Sequence, residues 1–141
     1  MGVAGGVVLA WLVALSVFDV SRRRLPNWLT MPGAFVILTA AAVAGRGLPA
    51  LIGAIALFAV YLSVHLLRPA AMGAGDVKLA IGVGALTGAF GIDVWTLAAL
   101  GAPLVTAGWA VVAVACHRET TVPHGLSMCS AAAVATALVT I

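Results

Sequence analysis

Six apolar runs, each close to the length that crosses a lipid bilayer, follow one another along this chain with short turns between them. They cover residues 3–20, 28–44, 50–68, 77–92, 94–115 and 125–141. A helix that spans the hydrocarbon core needs about 20 mostly apolar residues, with about 17 as the lower limit. The fourth run is short and barely separated from the fifth, so a five-helix interpretation stays open. The sequence predicts an all-α polytopic membrane protein with about six transmembrane helices.

The composition excludes a water-soluble fold. Hydrophobic residues make up 64% of the 141 residues and charged residues 8%, and the mean hydropathy is +1.22. A soluble domain has about a quarter of its residues charged. The net charge of +3 therefore reflects membrane topology, and nothing resembles a nucleic-acid-binding patch. We expect a single transmembrane domain over residues 1–141, with no soluble appendage.

The basic residues predict the orientation in the membrane. With six helices and the N-terminus outside, the outer turns hold only Arg46. Lys and Arg concentrate in cytoplasmic loops. No Lys or Arg precedes the first apolar run, so a cleaved secretory signal is not expected. The sequence predicts a multi-pass protein of the inner (cytoplasmic) membrane, whose cytoplasmic turns hold Arg22, Arg23, Arg24, Arg68, Lys78 and Arg118.

Two acidic residues lie at the rims of apolar runs on the predicted cytoplasmic side. Asp19 ends the first run, and Asp76 follows Gly73-Ala74-Gly75 just before the fourth. An ionisable residue within or at the rim of a membrane segment costs roughly 2.5 kcal/mol or more, and so marks a candidate functional site. Two carboxylates a few ångströms apart cannot both ionise comfortably and would share a proton. The pair therefore suggests an aspartate dyad that activates water.

Both aspartates also have structural interpretations. Asp is a favoured N-cap and its charge suits the positive end of a helix dipole, so Asp76 could simply cap a helix. Asp19 could form a helical ion pair with Arg22 or Arg23, worth only a few tenths of a kcal/mol. In Pro26-Asn27-Trp28, proline suits a helix start, Asn27 would cap, and Trp28 suits the membrane interface.

Together these residues resemble the type IV prepilin peptidase family, which are membrane aspartyl proteases of the Gly-x-Gly-Asp kind. The resemblance rests on Asp19, on Pro26-Asn27 and on the stretch 73–79, Gly-Ala-Gly-Asp-Val-Lys-Leu, within residues 17–80. It resumes at residues 122–125, where His124 stands in place of the family's usual aromatic residue.

The resemblance implies that Asp19 and Asp76 are the catalytic pair, on the first and fourth helices. Gly73 and Gly75 would let an extended substrate backbone approach. Lys78 would bias the charge of the pair, bind substrate, or anchor at the interface. The implied substrates are prepilin or pseudopilin precursors, cut at the cytoplasmic face between a short basic leader and an apolar helix. No cofactor is implied.

Long members of that family carry an additional cytoplasmic segment with paired Cys-x-x-Cys motifs, associated with N-methylation of the new terminus. Because the first apolar run begins at residue 3, we expect the short, peptidase-only form without a methyltransferase segment. Cys116 and Cys129 form neither a disulfide framework nor a Cys-x-x-Cys motif. Together with His117 and His124 they have no tight ligand spacing, so no metal site is expected.

Two other functions stay open at this point. A Gly-x-Gly-Asp intramembrane protease of the presenilin type resembles the chain at Asp76, but its first Asp normally follows or precedes a Tyr. Asp19 instead lies between Phe18 and Val20. The other is a non-enzymatic, proton-coupled membrane subunit with Asp19 and Asp76 as a relay. A relay would tolerate loss of the glycines better than a protease that must seat a peptide backbone.

Overall fold

A computed structural model describes residues 3–22, 26–69, 73–116 and 124–140 as a helical bundle without strands in those ranges. The predicted all-α fold with six helices is confirmed. The five-helix alternative is wrong, because Gly91 separates the fourth helix from the fifth with a φ of 124°, a value that favours glycine. The helices are α1 Val3–Arg22, α2 Asn27–Val43, α3 Gly47–Leu67, α4 Ala74–Phe90, α5 Ile92–Ala115 and α6 His124–Thr140.

The helices differ in how well they suit a lipid environment. Three segments, in α1, α3 and α5, are long and apolar enough to cross a membrane: Gly5–Arg22, Gly47–Leu67 and Ile92–Ala115. Two shorter apolar segments, Asn27–Val43 and Ser127–Val139, cover α2 and most of α6. Of the described helices, α4 alone falls in neither group. The chain is thus a membrane protein in which α4 depends on its neighbours for shielding.

Helix α4 lies at the centre of the bundle. It packs against α2, α3, α5 and α6, whereas α1 packs mainly against α6 and touches α2. Burial along α4 is nearly continuous because small residues let the surrounding helices approach on several sides. Its buried residues are Val77, Leu79, Ala80, Gly82, Val83, Gly84, Ala85, Leu86, Thr87 and Gly88.

The closest helix contact joins α3 to α4 through glycines. A Cβ atom on Gly84 would lie 2.5 Å from the carbonyl oxygen of Gly53, and one on Gly88 would lie 2.7 Å from that of Pro49. The indole N–H of Trp95 donates to the same Gly53 carbonyl at 3.0 Å. Small residues on both helices therefore bring the two backbones into direct contact.

Helix α1 reaches α4 through a side chain rather than through its backbone. The ring of Trp11 lies against Gly33 of α2 and Gly82 of α4, where a Cβ atom would collide with it. Its indole N–H donates to the carbonyl of Leu29 at 2.9 Å. Asp19 follows Trp11 by about two helical turns, so this contact fixes the part of α1 that leads to Asp19.

Candidate active site

A cavity of about 840 Å³ lies where α1 ends and α4 begins, and it contains every site residue predicted from the sequence. Its walls come from the last turn of α1, the first turn of α2 and the start of α4. The predicted residues among them are Asp19, Asp76, Gly73, Gly75, Lys78, Pro26 and Asn27. The remaining lining residues are Phe18, Arg22, Trp28 and Ala74.

The two aspartates face this cavity from different helices. Asp19 lies in the last turn of α1 and is 7% exposed, whereas Asp76 lies in the first turn of α4 and is half-buried. The Asp19 carboxylate interacts electrostatically with that of Asp76. Both carboxylates also interact electrostatically with the buried thiol of Cys129 in α6. Two acids more than fifty positions apart in the sequence therefore share one site.

The capping interpretation of Asp76 is wrong, because Gly73 occupies the N-cap position of α4. Gly73 has extended backbone angles (φ −73°, ψ 150°), and its carbonyl accepts the amide of Asp76 at 3.2 Å. No side chain caps this helix. A Cβ atom on Gly73 would lie 3.6 Å from Oδ2 of Asp76, so the carboxylate lies close to the glycine turn. Asp76 is thus the third residue of the helix and lines the cavity.

The prediction that Asn27 caps α2 is also wrong. Pro26 is the N-cap residue, and the hydroxyl of Thr30 donates back to its carbonyl at 3.1 Å. The side-chain oxygen of Asn27 instead accepts a hydrogen bond of 2.9 Å from Nζ of Lys78. Asn27 and Lys78 therefore join the start of α2 to the start of α4 across the cavity.

An aromatic wall that was not predicted from the sequence closes one side of the cavity. Phe18 and Trp28 meet edge to face with ring centroids 5.7 Å apart. The guanidinium of Arg22 lies 6.0 Å above the Phe18 ring. The spacing of Phe18 and Arg22, four residues apart on one helix, was the signal that could have indicated the stacked pair.

A second polar cluster joins α3, α5 and α6 close to Asp76. The Tyr61 hydroxyl lies 2.9 Å from Nε2 of His124, and the Thr106 hydroxyl lies 2.7 Å from its Nδ1. Tyr61 interacts electrostatically with Asp76. From the sequence, His124 was a departure from the family pattern and a rejected metal ligand, and no local pattern pointed to Tyr61 or Thr106.

Some predicted features fall outside the described residues: Arg23, Arg24, His117, Arg118 and residues 122–123 of the turn before α6. Within the described ranges, no group of three or more His, Cys, Asp and Glu side chains could hold a metal ion.

The fold and the site together define a multi-pass membrane protein with an aspartate-lined cavity at one end of its helices. The chain belongs to the type IV leader peptidase family, whose family model matches residues 6–139. The match includes part or all of each of the six helices, and membership makes the protein a leader peptidase-like protease. Comparison with individual curated proteins and with solved structures gives no match.

Proposed function

We propose that this protein is an aspartic endopeptidase that removes the short leader of prepilin-like precursors, with Asp19 and Asp76 as its catalytic pair. The observation that carries the proposal is the single cavity that holds both carboxylates and the glycine turn before α4. Membership of the type IV leader peptidase family supports leader removal as the reaction. A proton relay would need neither a cavity of about 840 Å³ nor glycines in its wall.

The chemistry follows from the two carboxylates. Their mutual repulsion favours a state in which the pair holds one proton. The ionised carboxylate removes a proton from a bound water molecule, and the resulting hydroxide attacks the carbonyl carbon of the scissile peptide bond. The protonated carboxyl donates its hydrogen to the carbonyl oxygen and stabilises the tetrahedral intermediate. The amine product leaves after it accepts a proton from the pair.

The surroundings of the pair suit an extended peptide. Gly73 and Gly75 present backbone without side chains to the cavity, which leaves room for a substrate strand beside Asp76. Phe18 and Trp28 offer apolar surface on the side of α1 and α2. This arrangement fits a precursor in which a polar leader is followed at once by an apolar helix.

The cavity faces the cytoplasm in this proposal. Arg22 and Lys78 line it, and Arg46 lies at the opposite end of the bundle, where it donates to the Ala89 carbonyl at 3.3 Å. Lys and Arg favour the cytoplasmic side of an inner membrane. The basic leader of a precursor would then be cut on the side where it is made.

Cysteine accessibility tests this orientation. In a variant with Cys116→Ser and Cys129→Ala, single cysteines at positions 23, 70 and 120 should react only with reagents that reach the cytoplasm. A cysteine at position 46 should react with impermeant reagents from outside. Labelling of position 70 from the outside would place the glycine turn on the wrong side for cytoplasmic cleavage.

Asparagine substitutions test the catalytic pair. Asp19→Asn and Asp76→Asn keep the side-chain shape but cannot share a proton, so each should lower cleavage of a co-expressed prepilin by about 10³-fold or more. The double variant should be little worse than either single one, because residues that act as a unit are not additive. Precursor and mature pilin are separated by gel mobility, at matched levels of membrane-inserted protease.

Asp93→Asn is the matched control. Asp93 also lies in the first turn of a helix, α5, but it is exposed and outside the cavity. Both substitutions remove the same stabilising interaction with a helix dipole, about 0.3–1 kcal/mol. Asp93→Asn should therefore leave processing intact. If Asp76→Asn cleaved as well as Asp93→Asn at equal protein level, Asp76 would have only a structural role and the proposal would be withdrawn.

A further inference from the structure

One aromatic side chain fills the space where the three helices around the candidate active site meet. The indole of Trp11, in α1, lies in the seam between α2 and α4, where Gly33 and Gly82 border it. A Cβ atom on Gly33 would lie 2.3 Å from its Nε1, and one on Gly82 would lie 2.8 Å from its Cη2. The walls of the catalytic cavity come from the same three helices. Trp11 therefore occupies a notch that two glycines leave deeper in the bundle than the cavity.

A hydrogen bond holds the indole within this notch. Its N–H donates to the Leu29 carbonyl at 2.9 Å. A side chain at position 33 would occupy the place of Nε1, so glycine there leaves the indole within reach of that carbonyl. At the other end of the ring, Gly82 lies close to α2, since its Cβ atom would be 3.7 Å from Cα of Ala34. The ring thus meets α2 and α4 at a point where those two helices already touch each other.

Helices α1 and α4 carry the two aspartates, yet their backbones stay apart. Between the described residues of these two helices, no Cα atoms lie within 8 Å of each other. Cavities lie towards both ends of the bundle from Trp11: the catalytic cavity, and one of about 430 Å³ whose lining includes Leu12, Leu86 and Phe90. The Trp11 ring crosses the gap between them and reaches Gly82. A smaller side chain would leave a void into which the surrounding helices partly relax, so the size of residue 11 affects the width of the gap.

The side of α1 that Trp11 anchors is the side that lines the catalytic cavity. Phe18 and Asp19 follow Trp11 by seven and eight positions, a spacing that returns to the same side of a helix after two turns. Helix α1 is continuous from Val3 to Arg22. A displacement at Trp11 is therefore carried about 12 Å along the helix axis to Asp19.

We propose that Trp11 is a positioning residue that sets the separation between Asp19 and Asp76. This role rests on the proposed function, in which the two carboxylates share one proton and act on one water molecule. Trp11 does not line the cavity, so it touches neither the substrate nor the reacting atoms. A misplacement of about 1 Å can cost about 10²-fold in rate even when the altered residue is far from the chemistry. The fit of Trp11 in its notch thereby controls turnover.

Two substitutions of Trp11 test this role in full-length protein, in vesicles with a purified prepilin as substrate. Trp11→Ala removes the spacer and should lower kcat about 10²-fold. KM should change little, because the glycine turn remains in place on α4. Trp11→Phe keeps a ring and loses one hydrogen bond between neutral groups, so it should lower kcat by no more than about tenfold.

Trp95→Ala is the matched control for Trp11→Ala. Trp95 also donates its indole N–H to a helix carbonyl, that of Gly53 at 3.0 Å, but it links α5 to α3 and does not line the cavity. It should lower the unfolding temperature in detergent and leave the kcat of the folded protein unchanged. If Trp95→Ala lowered kcat as much as Trp11→Ala, the loss would reflect general stability, and the positioning role would be overturned.

Gly82→Ala tests the spacer from the side of α4. The new methyl group would lie 2.8 Å from Cη2 and 3.4 Å from Cζ2 of the Trp11 ring, so it should push the ring and α1 outwards and lower kcat. The ring of Trp11→Phe is shorter, and in the double variant the methyl group fills the space that Cη2 leaves. The double variant should therefore have a higher kcat than Gly82→Ala alone. Losses that simply multiply would contradict the spacer.

A distance measurement without cleavage separates failure of this role from failure of the proposed function. In the background without native cysteines, nitroxide labels on Val20→Cys and Ala74→Cys report the separation of the α1 and α4 ends; both native side chains are exposed. Pulsed electron paramagnetic resonance should show a shifted or broader separation in Trp11→Ala and no change in Trp95→Ala. An unchanged separation in Trp11→Ala would overturn the positioning role whatever the activity. A shifted separation in a protein whose wild type cleaves no prepilin would count against the proposed function instead.

Discussion

Glycine occurs at both ends of α4, but its surroundings differ between the two. In the far half of the helix, a Cβ atom on Gly84 would collide with the backbone of α3. At the start of the helix, a Cβ atom on Gly73 would meet only Oδ2 of Asp76 within 4 Å, at an ordinary contact distance of 3.6 Å. Gly84 permits α3 and α4 to touch, whereas Gly73 borders an open cavity. Substitutions at the two ends should therefore fail for different reasons.

The largest effect on folding is expected at the packed end. In Gly84→Ala the new methyl group would lie 2.5 Å from the Gly53 carbonyl oxygen and 3.0 Å from Cα of Ala54, and backbone cannot move aside as a side chain can. Overpacking of this kind costs about 1–3 kcal/mol. We expect less protein in the membrane fraction and a lower unfolding temperature in detergent.

Gly6→Ala is the matched control for Gly84→Ala, because a Cβ atom at Gly6 has nothing within 4 Å. Alanine is favoured over glycine inside a helix by roughly 0.5–1 kcal/mol, so this variant should be at least as stable as the wild type. If Gly84→Ala were as stable as Gly6→Ala, close packing of α3 on α4 would not be what holds this end together.

At the open end, activity rather than stability should be lost. Gly75 lines the cavity beside Asp76, and Gly75→Val would place a branched side chain where a substrate backbone is proposed to lie. A misplacement of about 1 Å near a reacting group can cost about 10²-fold in rate. We expect processing of a co-expressed prepilin to fall by about that factor while the protein still accumulates.

Gly108→Val serves as the control for Gly75→Val, since a Cβ atom at Gly108 meets nothing within 4 Å and Gly108 lies on α5, away from the cavity. Both changes replace glycine with valine within a helix, so neither is disfavoured by helix propensity. Normal processing by Gly75→Val would show that the glycine turn is not where the substrate approaches.

The smallest effect is expected at the hydrogen bond between Lys78 and Asn27. A single intramolecular hydrogen bond contributes about 0.5–1.5 kcal/mol, so Asn27→Ala should slow processing by no more than about tenfold. If Lys78 only links the two helices, Lys78→Met should have the same effect, and the double variant should be no worse. A much larger loss for Lys78→Met alone would mean that its charge acts on the substrate or on the aspartates.

The parts of this structure that could be predicted are those with a local signature. The lengths of the apolar runs predicted six helices. Asp19, Pro26-Asn27 and the glycine turn before Asp76 were predicted as site residues from their sequence motifs, and all of them line the cavity. The N-caps were assigned wrongly, because Asn27 was expected to cap α2 but bonds to Lys78 on another helix. A capping propensity does not take account of a partner that only the tertiary fold supplies.

The Tyr61–His124–Thr106 cluster could not be predicted for a related reason. Its members are separated by 63 and 18 positions in the chain and lie on three helices. Membrane helices are apolar on most sides, so their sequences give little indication of which face meets which neighbour. The central position of α4 could not be predicted for the same reason, since it depends on which helices pack around it.

The enclosure of α4 also bears on how the chain enters the membrane during its synthesis. The first two turns of α4 carry Asp76 and Lys78, and such groups cost roughly 2.5 kcal/mol or more at membrane depth. Since α4 packs on α3 through Gly53 and Gly84, we expect the two to insert as a hairpin, with α3 first. A reporter site fused after α4 should reach the outer side only when α3 is present, and insertion without α3 would contradict this order. Biogenesis of the Asp76-bearing helix would then depend on the segment translated just before it.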